Sequence, residues 1–108
     1  MIAQIWRGRV PASTADAYHQ YLLETGVTDY TATPENWGVY VLQRLDADGG
    51  IAHFEILTLW DSLDAIKAFA GDEYARARYY PADDDFLLER EPHVEHLDVL
   101  LAKSGPTA

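Results

Sequence analysis

Hydrophobic residues alternate with polar ones in four stretches of the chain, and this two-residue period predicts β-strands. The first strand ends near Pro11, because proline cannot donate a hydrogen bond to a neighbouring strand. Asp48-Gly49-Gly50 is a turn sequence between the second and third stretches, so these two are expected to form a hairpin. The four predicted strands are 1–9, 37–45, 51–60 and 94–101.

Two further stretches carry apolar residues at helical spacing and have residues suited to helix ends. The first helix begins near Ser13, and Gly26 is placed to end it. The second helix follows Asp61, a candidate cap, and ends at Gly71. The remaining predictions are a short helix at 72–80, loops at 27–35 and 82–91, and a flexible tail at 102–108.

The order of these elements is βαββαβ, within one domain that spans 1–101. Its compact solution is an α+β, ferredoxin-like fold, in which a four-stranded antiparallel sheet carries both helices on one face. The strands, however, are apolar on both faces, as Ile56 and Leu57 of the third strand illustrate. Two helices can cover only one face. The other face therefore predicts a homodimer, in which an identical subunit supplies a second sheet.

Composition narrows the classes of function. The 108 residues include 18 acidic and 8 basic side chains, for a formal net charge of -10, so nucleic acid and anionic membranes are not expected partners. No uncharged apolar run approaches the roughly 20 residues of a membrane span. The apolar start of the chain precedes Arg7 and Arg9, which is the reverse of a signal peptide, and there is no cysteine. These features predict a cytoplasmic protein.

The junction between the third strand and the second helix is distinctive, because a tryptophan ends the strand and a polar pair starts the helix at once. The residues of this motif are Leu59-Trp60-Asp61-Ser62, with Ala65 and Phe69 spaced behind them. The motif and the βαββαβ order resemble the antibiotic biosynthesis monooxygenase-like family of the dimeric α+β barrel group. The later part of the chain looks like an uncharacterised bacterial subgroup of that family.

The resemblance implies a homodimer with a cavity between helices and sheet in each subunit. Members of the family include oxygenases that turn polyketide phenols into quinones without a cofactor, and haem-degrading monooxygenases. In the first group the deprotonated substrate itself reacts with dioxygen, so neither metal nor flavin is required. Haem-degrading members carry a histidine on the helix after the tryptophan motif and an asparagine on strand one. This chain has no histidine in 71–80 and no asparagine in strand one, which argues against haem cleavage.

The leading hypothesis is a cofactor-independent monooxygenase that acts on a small aromatic or polyketide-like substrate. A non-catalytic dimeric protein that binds a small molecule, and an isomerase or cyclase that uses the same cavity, are the alternatives. All three need an apolar pocket with one or two polar groups. The sequence leaves the choice among them open.

Three residues are candidates for catalysis. His96 is the candidate base, because imidazole has an ordinary pKa of about 6.5. Trp60 can stack on a planar substrate, and Arg7 can hold a phenolate or a carboxylate. Each has a structural alternative, namely a hydrogen-bonded histidine, a core tryptophan and a surface ion pair. The candidate substrate-binding residues are Trp6, Tyr18, Tyr21, Trp37, Tyr79 and Tyr80.

Two pairs of residues are candidate metal ligands. His53 with Glu55, and His93 with Glu95, each place two possible ligands on one face of a strand. In the expected strand order the first strand separates the pairs, by about 10 Å at roughly 4.8 Å per strand. They cannot share an ion within a subunit, so no metal site is predicted. The chain also lacks a glycine-rich phosphate loop and a GxSxG motif.

Overall fold

The computed structural model describes residues 1–103, so residues 104–108 of the predicted tail lie outside the described residues. The strands are β1 (Ile2–Pro11), β2 (Asn36–Leu45), β3 (Ile51–Trp60) and β4 (Glu95–Asp98). The helices are α1 (Ala15–Glu24), α2 (Gly26–Ala32), α3 (Leu63–Ala70) and α4 (Asp83–Phe86). The strands form one antiparallel sheet in the order β2-β3-β1-β4. The predicted α+β, ferredoxin-like arrangement is therefore confirmed.

The observed strands differ from the predicted ones mainly in the bounds of β1 and β4. β1 continues through Pro11, which pairs with Ile51 as the last residue of the strand, where a missing N–H interrupts no ladder. β4 is shorter than the predicted 94–101. Its pairing with β1 ends where β1 itself begins, at Ile2 opposite Asp98. The third strand has its predicted bounds.

The predicted loop at 27–35 is largely helical, and Gly26 starts α2 instead of ending the preceding helix. Three threonines give this segment a low helix propensity, which is why its pattern reads as a loop. In the fold their hydroxyl groups donate to carbonyls of the preceding turn, for example Thr31 to Val27 at 3.0 Å. Burial of Gly26 and Tyr30 supplies the tertiary packing that the propensity lacks.

The two predicted helix starts are each displaced. Ser13 lies in a 3-10 turn before α1 and caps nothing. At α3 the cap is Ser62 and not the predicted Asp61, because the Ser62 hydroxyl oxygen accepts from the backbone N–H of Ala65 at 3.2 Å. The predicted end of α3 is correct. Gly71 adopts φ +83°, a left-handed conformation that favours glycine.

The predicted helix at 72–80 is wrong. This segment is a series of turns followed by chain without regular structure, and it pairs with the residues before β4. Ala77 donates its N–H to the carbonyl of Pro92 at 2.9 Å, and Val94 donates to the carbonyl of Ala75 at 2.9 Å. Because these partners are distant in the sequence, tertiary pairing overrides the local helical pattern.

One face of the sheet packs against α1, α2 and α3 and forms the hydrophobic core. Side chains that alternate along β1 and β3 point into it and are almost fully buried. The helices contribute Tyr18, Leu22, Tyr30 and Ile66. The buried strand residues are Trp6, Val10, Ala52, Phe54, Ile56 and Trp60.

The opposite face of the sheet, called the outer face below, is not covered by any described helix. Its centre is apolar, and three of its large side chains are exposed to solvent: Tyr40 by 54%, Leu42 by 45% and Leu97 by 44%. The apolar residues of the outer face are Ala3, Ile5, Tyr40, Leu42, Leu57, Leu59 and Leu97. No helix among residues 1–103 has the length and apolar character needed to span a bilayer.

Candidate functional site

A small cavity lies between the sheet, the helices and the segment that precedes α4. Its volume is about 10 Å³, which is room for about one water molecule. We call it the interior cavity. The sheet, the helices and the 78–83 segment all contribute to its wall. The lining residues are Trp6, Leu22, Gly26, Tyr30, Ile56, Arg78, Tyr80 and Asp83.

Trp6 brings an unpaired hydrogen-bond donor to the interior cavity. Its side chain comes from β1, opposite Ile56 of β3, and is only 3% exposed. The indole Nε1–H finds no acceptor among the residues that the structure describes. Buried polar atoms are nearly always hydrogen-bonded, so an indole N–H left without a partner beside a cavity is available to a ligand.

Asp83 brings a buried carboxylate to the same cavity. It is the first residue of α4 and is 2% exposed. Its Oδ1 accepts from the Tyr18 hydroxyl at 2.9 Å, and its Oδ2 accepts from the backbone N–H of Tyr80 at 2.6 Å. Burial and the neighbouring carboxylate raise the pKa of Tyr18 far above its usual value, so Tyr18 remains a donor to Asp83.

His96 lies outside the interior cavity but is connected to it by hydrogen bonds. Its Nε2 is 2.9 Å from Gln4 Oε1, and Gln4 Nε2 donates to the Tyr30 hydroxyl at 3.4 Å. Burial lowers the pKa of His96 and raises the pKa of Tyr30 to about 12. When His96 Nε2 carries the hydrogen, it donates to Gln4 Oε1, and the amide nitrogen of Gln4 therefore faces Tyr30. The Tyr30 hydroxyl then accepts from Gln4 and keeps its own hydrogen for a ligand.

His96 itself lines a surface depression of about 350 Å³, together with Leu63 and Tyr74. The Tyr74 ring packs edge-on against the imidazole at a centroid distance of 5.5 Å. As a candidate base, His96 would therefore serve a ligand in this depression and not one in the interior cavity. Its role as a base stays a prediction.

The other two predicted catalytic residues lie in different places. Trp60 is fully buried, and its Nε1–H donates to the Thr58 hydroxyl at 2.8 Å, so the indole is already satisfied within the core. Arg7 projects from the outer face of the sheet. It forms ion pairs with Glu95 and, at 3.3 Å, with Glu55, and the hydrogen bond to Glu95 is the main reason that its pKa is raised. The structure does not bring His96, Trp60 and Arg7 together.

Five of the six predicted substrate-binding residues lie around the interior cavity, and the sixth, Trp37, lies apart from them. Trp6 and Tyr80 line the interior cavity, and Tyr18 contacts it through Asp83. Tyr21 accepts at its hydroxyl from the N–H of Ala82, and Tyr79 packs against Trp6 at a centroid distance of 6.0 Å. Trp37 is 64% exposed at a bulge in β2, apart from this group.

Sequence reasoning missed four residues that the fold brings to the site or to its hydrogen-bond chain: Gln4, Tyr30, Arg78 and Asp83. Gln4 carried a usable signal, because it alternates in phase with Trp6 on the apolar face of β1. A polar residue in that position must find a buried partner. Asp83 carried no such signal, since it is one of three consecutive aspartates.

Two solved structures are similar along nearly the whole chain. A variant of MhuD, a haem-degrading protein of Mycobacterium tuberculosis, was solved with two manganese protoporphyrin IX molecules per active site. It is 17% identical, covers 97% of this chain and 100% of its own, and has a TM-score of 0.64. A provisionally assigned antibiotic biosynthesis monooxygenase of Caulobacter crescentus is 20% identical, covers 93% and 90%, and has a TM-score of 0.63.

The chain shares the fold of the antibiotic biosynthesis monooxygenase-like proteins. No family model matches it, and no curated protein matches it. At identities this low the similarity establishes the fold and not the activity.

Because that MhuD variant binds a porphyrin, the fit of a haem to the interior cavity was tested on its residues. Histidine, cysteine, methionine and tyrosine are the usual ligands of haem iron. None of the described histidines lines this cavity. The hydroxyls of its two tyrosines already form hydrogen bonds, Tyr30 with Gln4 and Tyr80 with Asp29. The residues of the interior cavity therefore do not fit a haem.

Within residues 1–103 no three histidine, aspartate or glutamate side chains cluster as a metal site.

Proposed function

We propose that this protein is a monooxygenase-type enzyme that oxidises a small aromatic or polyketide-like phenol in the interior cavity, without a resident cofactor. The observation that carries the proposal is that one cavity is lined both by Trp6, whose indole N–H has no acceptor among the described residues, and by Asp83, whose carboxylate is buried. A donor and a proton acceptor are the two groups that deprotonation of a bound phenol requires.

In the proposed reaction, Trp6 and Tyr30 donate hydrogen bonds to the substrate oxygen and stabilise the anion that forms. Asp83 accepts one proton from the methylene carbon, which forms the anion, and returns it at the end of the reaction to the oxygen atom that leaves as water. The carbanion form of an anthrone-like substrate then reacts with dioxygen at its methylene carbon. One oxygen atom becomes the new carbonyl, the other leaves as water with the two methylene hydrogens, and no external reductant is consumed.

Substrate binding requires the interior cavity to enlarge, because even one aromatic ring needs more room than about 10 Å³. We expect the 78–83 segment to move, because it contains no regular element before α4, and we expect Arg78 and Tyr80 to move together so that their contact is kept. It is held by side-chain contacts, including the hydrogen bond from the Tyr80 hydroxyl to Asp29. A substrate must therefore replace these contacts as it enters.

The enzymatic test measures oxygen uptake with an anthrone as substrate, comparing the wild type with Asp83→Asn. Loss of a general base typically lowers the rate by about 10²–10⁴-fold. Asp85→Asn is the matched control, because it removes a neighbouring carboxylate of the same helix that does not line the cavity. Equal rates for the wild type and a folded Asp83→Asn variant would remove Asp83 from the mechanism.

A non-catalytic binding protein is the second candidate, and one observation favours it. Asp83 already accepts two hydrogen bonds, which is also what a purely structural carboxylate does. This alternative predicts that the phenol raises the melting temperature without oxygen uptake and without a new product. An isomerase or cyclase would instead convert its substrate to a product of the same mass.

We also propose that two copies of the chain pair through the outer face. An apolar sheet face left open to water is costly in a soluble domain, and an identical sheet is the simplest cover for it. The expected result is a mass of twice one chain in light scattering. Leu42→Lys should shift the mass to that of one chain, while Leu23→Lys, a similarly exposed leucine on α1, should not. A single-chain mass for the wild type would refute the pairing.

The cytoplasmic location stays a prediction.

A further inference from the structure

A larger depression beside the interior cavity is lined by several basic side chains. This arginine groove has a volume of about 800 Å³ and contains Arg76, Arg78 and Arg90 in its wall, with Glu73 and Glu91. The whole chain has only eight lysines and arginines against 18 acidic residues. Three of the eight lie in this wall beside two glutamates, which leaves a formal charge of +1 there on a negative protein and favours an anion.

Arg78 differs from the other two arginines of the groove, each of which forms a hydrogen bond with a carboxylate, at 2.9 and 2.6 Å. Arg78 makes no hydrogen bond with any residue from 1 to 103. Its closest ion-pair contact is Nη2 to Asp29 Oδ2 at 3.8 Å, and that oxygen already accepts from the Tyr80 hydroxyl. The guanidinium therefore keeps its full set of donors for another acceptor.

Two aromatic rings hold the Arg78 guanidinium in position. Its Cζ lies 5.1 Å from the centroid of Phe69 and 5.5 Å from that of Tyr80. Stacking of this kind restrains the guanidinium and leaves its N–H edges free for a planar anion. Arg78 also lines both spaces, the arginine groove and the interior cavity. One side chain thus joins the polar groove to the site where the ring of a ligand is proposed to bind.

We propose that Arg78 binds the carboxylate of an aromatic acid whose ring occupies the interior cavity. The inference rests on the proposed function only in taking that cavity as the ligand site. A carboxylate fits the guanidinium fork with two parallel hydrogen bonds, a geometry that a neutral phenol cannot reproduce. The specificity that Arg78 confers is therefore for an acid over the matched neutral ring.

The test compares two probes of the same ring, hydroxynaphthoate and naphthol, by isothermal titration calorimetry with the wild-type protein and two variants. Wild type is expected to bind hydroxynaphthoate at least about 10-fold more tightly than naphthol. Arg78→Gln should abolish this preference while naphthol binding is retained. Arg76→Gln removes the same charge from the same groove, but from a guanidinium already paired with Glu73, and should keep the preference.

The possible outcomes distinguish the role of Arg78, the cavity as the ligand site and the oxygenase proposal. Equal affinity of the wild type for the two probes overturns the role of Arg78 and leaves the cavity as a ligand site. A preference that persists in Arg78→Gln, or that Arg76→Gln also abolishes, shows general attraction by the groove and overturns the specific role. Absence of binding by both probes overturns this inference together with the cavity site. Binding with the expected preference but without oxygen uptake supports Arg78 and removes the oxygenase proposal alone.

Discussion

The buried Asp83 carboxylate provides the most direct test of the site, because its removal leaves two identified donors without an acceptor. In Asp83→Ala the Tyr18 hydroxyl, which is fully buried, and the backbone N–H of Tyr80 both lose their partner. A buried donor left unsatisfied costs about 1–3 kcal/mol. The expected loss is about 3 kcal/mol in the free energy of unfolding, a large part of the roughly 5–15 kcal/mol of a typical domain.

The two substitutions at this position should differ in a way that tests the geometry. In Asp83→Asn the amide oxygen can accept from the Tyr80 N–H, and the Tyr18 hydroxyl can rotate to accept from the amide nitrogen. Both hydrogen bonds persist without the charge, so the expected cost is about 1 kcal/mol. Adding Tyr18→Phe to Asp83→Ala removes one of the orphaned donors. The double variant should therefore be more stable than Asp83→Ala alone, by about 1 kcal/mol.

The assay is urea unfolding at one fixed protein concentration, since any dimerisation would make stability depend on concentration. For a domain of this size about 3 kcal/mol corresponds to a fall of roughly 10–25 °C in melting temperature. Asp85→Ala is the control, with an expected change within about 0.5 kcal/mol. If Asp83→Ala were no more destabilising than Asp85→Ala, the buried hydrogen bonds described for Asp83 would be refuted.

Three further predictions concern local features of the fold. Ser62→Ala should lower the free energy of unfolding by about 1 kcal/mol, because it removes the cap of α3. Ser13 was predicted to cap α1 but makes no capping hydrogen bond, so Ser13→Ala should have no measurable effect in the same urea titration. Gly71→Ala should cost about 1 kcal/mol, since φ +83° strains any residue with a Cβ; an unchanged unfolding midpoint would contradict the left-handed turn. The hydrogen bond from His53 lowers the pKa of Asp46, so this carboxylate stabilises the fold above its unfolded pKa and loses that contribution as pH falls through the lower folded value. In an NMR titration His53→Ala should raise the pKa of Asp46 towards its ordinary value, and an unmoved midpoint would contradict the pairing.

The strands and their order were predictable because the signal for them is local and repeated. In β3 the inward residues Phe54 and Ile56 alternate with half-buried outer ones, and this two-residue period matches the packing of the strand in the fold. The hairpin between β2 and β3 followed from a turn sequence with Gly49, which adopts φ +73°. The βαββαβ topology then left few compact solutions.

The misassigned segments share a physical cause, which is that distant partners decide their structure. The threonine-rich segment that became α2 is held by burial of Tyr30, whereas the helical pattern at 72–80 yields to hydrogen bonds with Pro92 and Val94. Local propensities are worth at most about 1 kcal/mol per residue, except for proline. Buried contacts and hydrogen bonds of similar size can therefore reverse them when several act together.

The candidate site was only partly predictable for the same reason. Trp6 and Tyr80 were identified as aromatic residues, and both line the interior cavity. His96 was identified from its chemistry, but its strand register directs it to Gln4 and a surface depression. Asp83 could not be distinguished from its neighbours, since only the packing of α4 against Tyr18 makes it the buried one of three.

The amino-acid sequence by itself determined the sheet, the two-sided apolar strands and the composition that excludes thiol chemistry, because these depend on residue type and on a period of two along the chain. Tertiary structure alone decided which polar groups meet. Trp6, which carries a donor, is far in the sequence from the Asp83 carboxylate and the Arg78 guanidinium, yet all three residues line one cavity. Their convergence depends on register and on loop path, which distant contacts set and which no local pattern records.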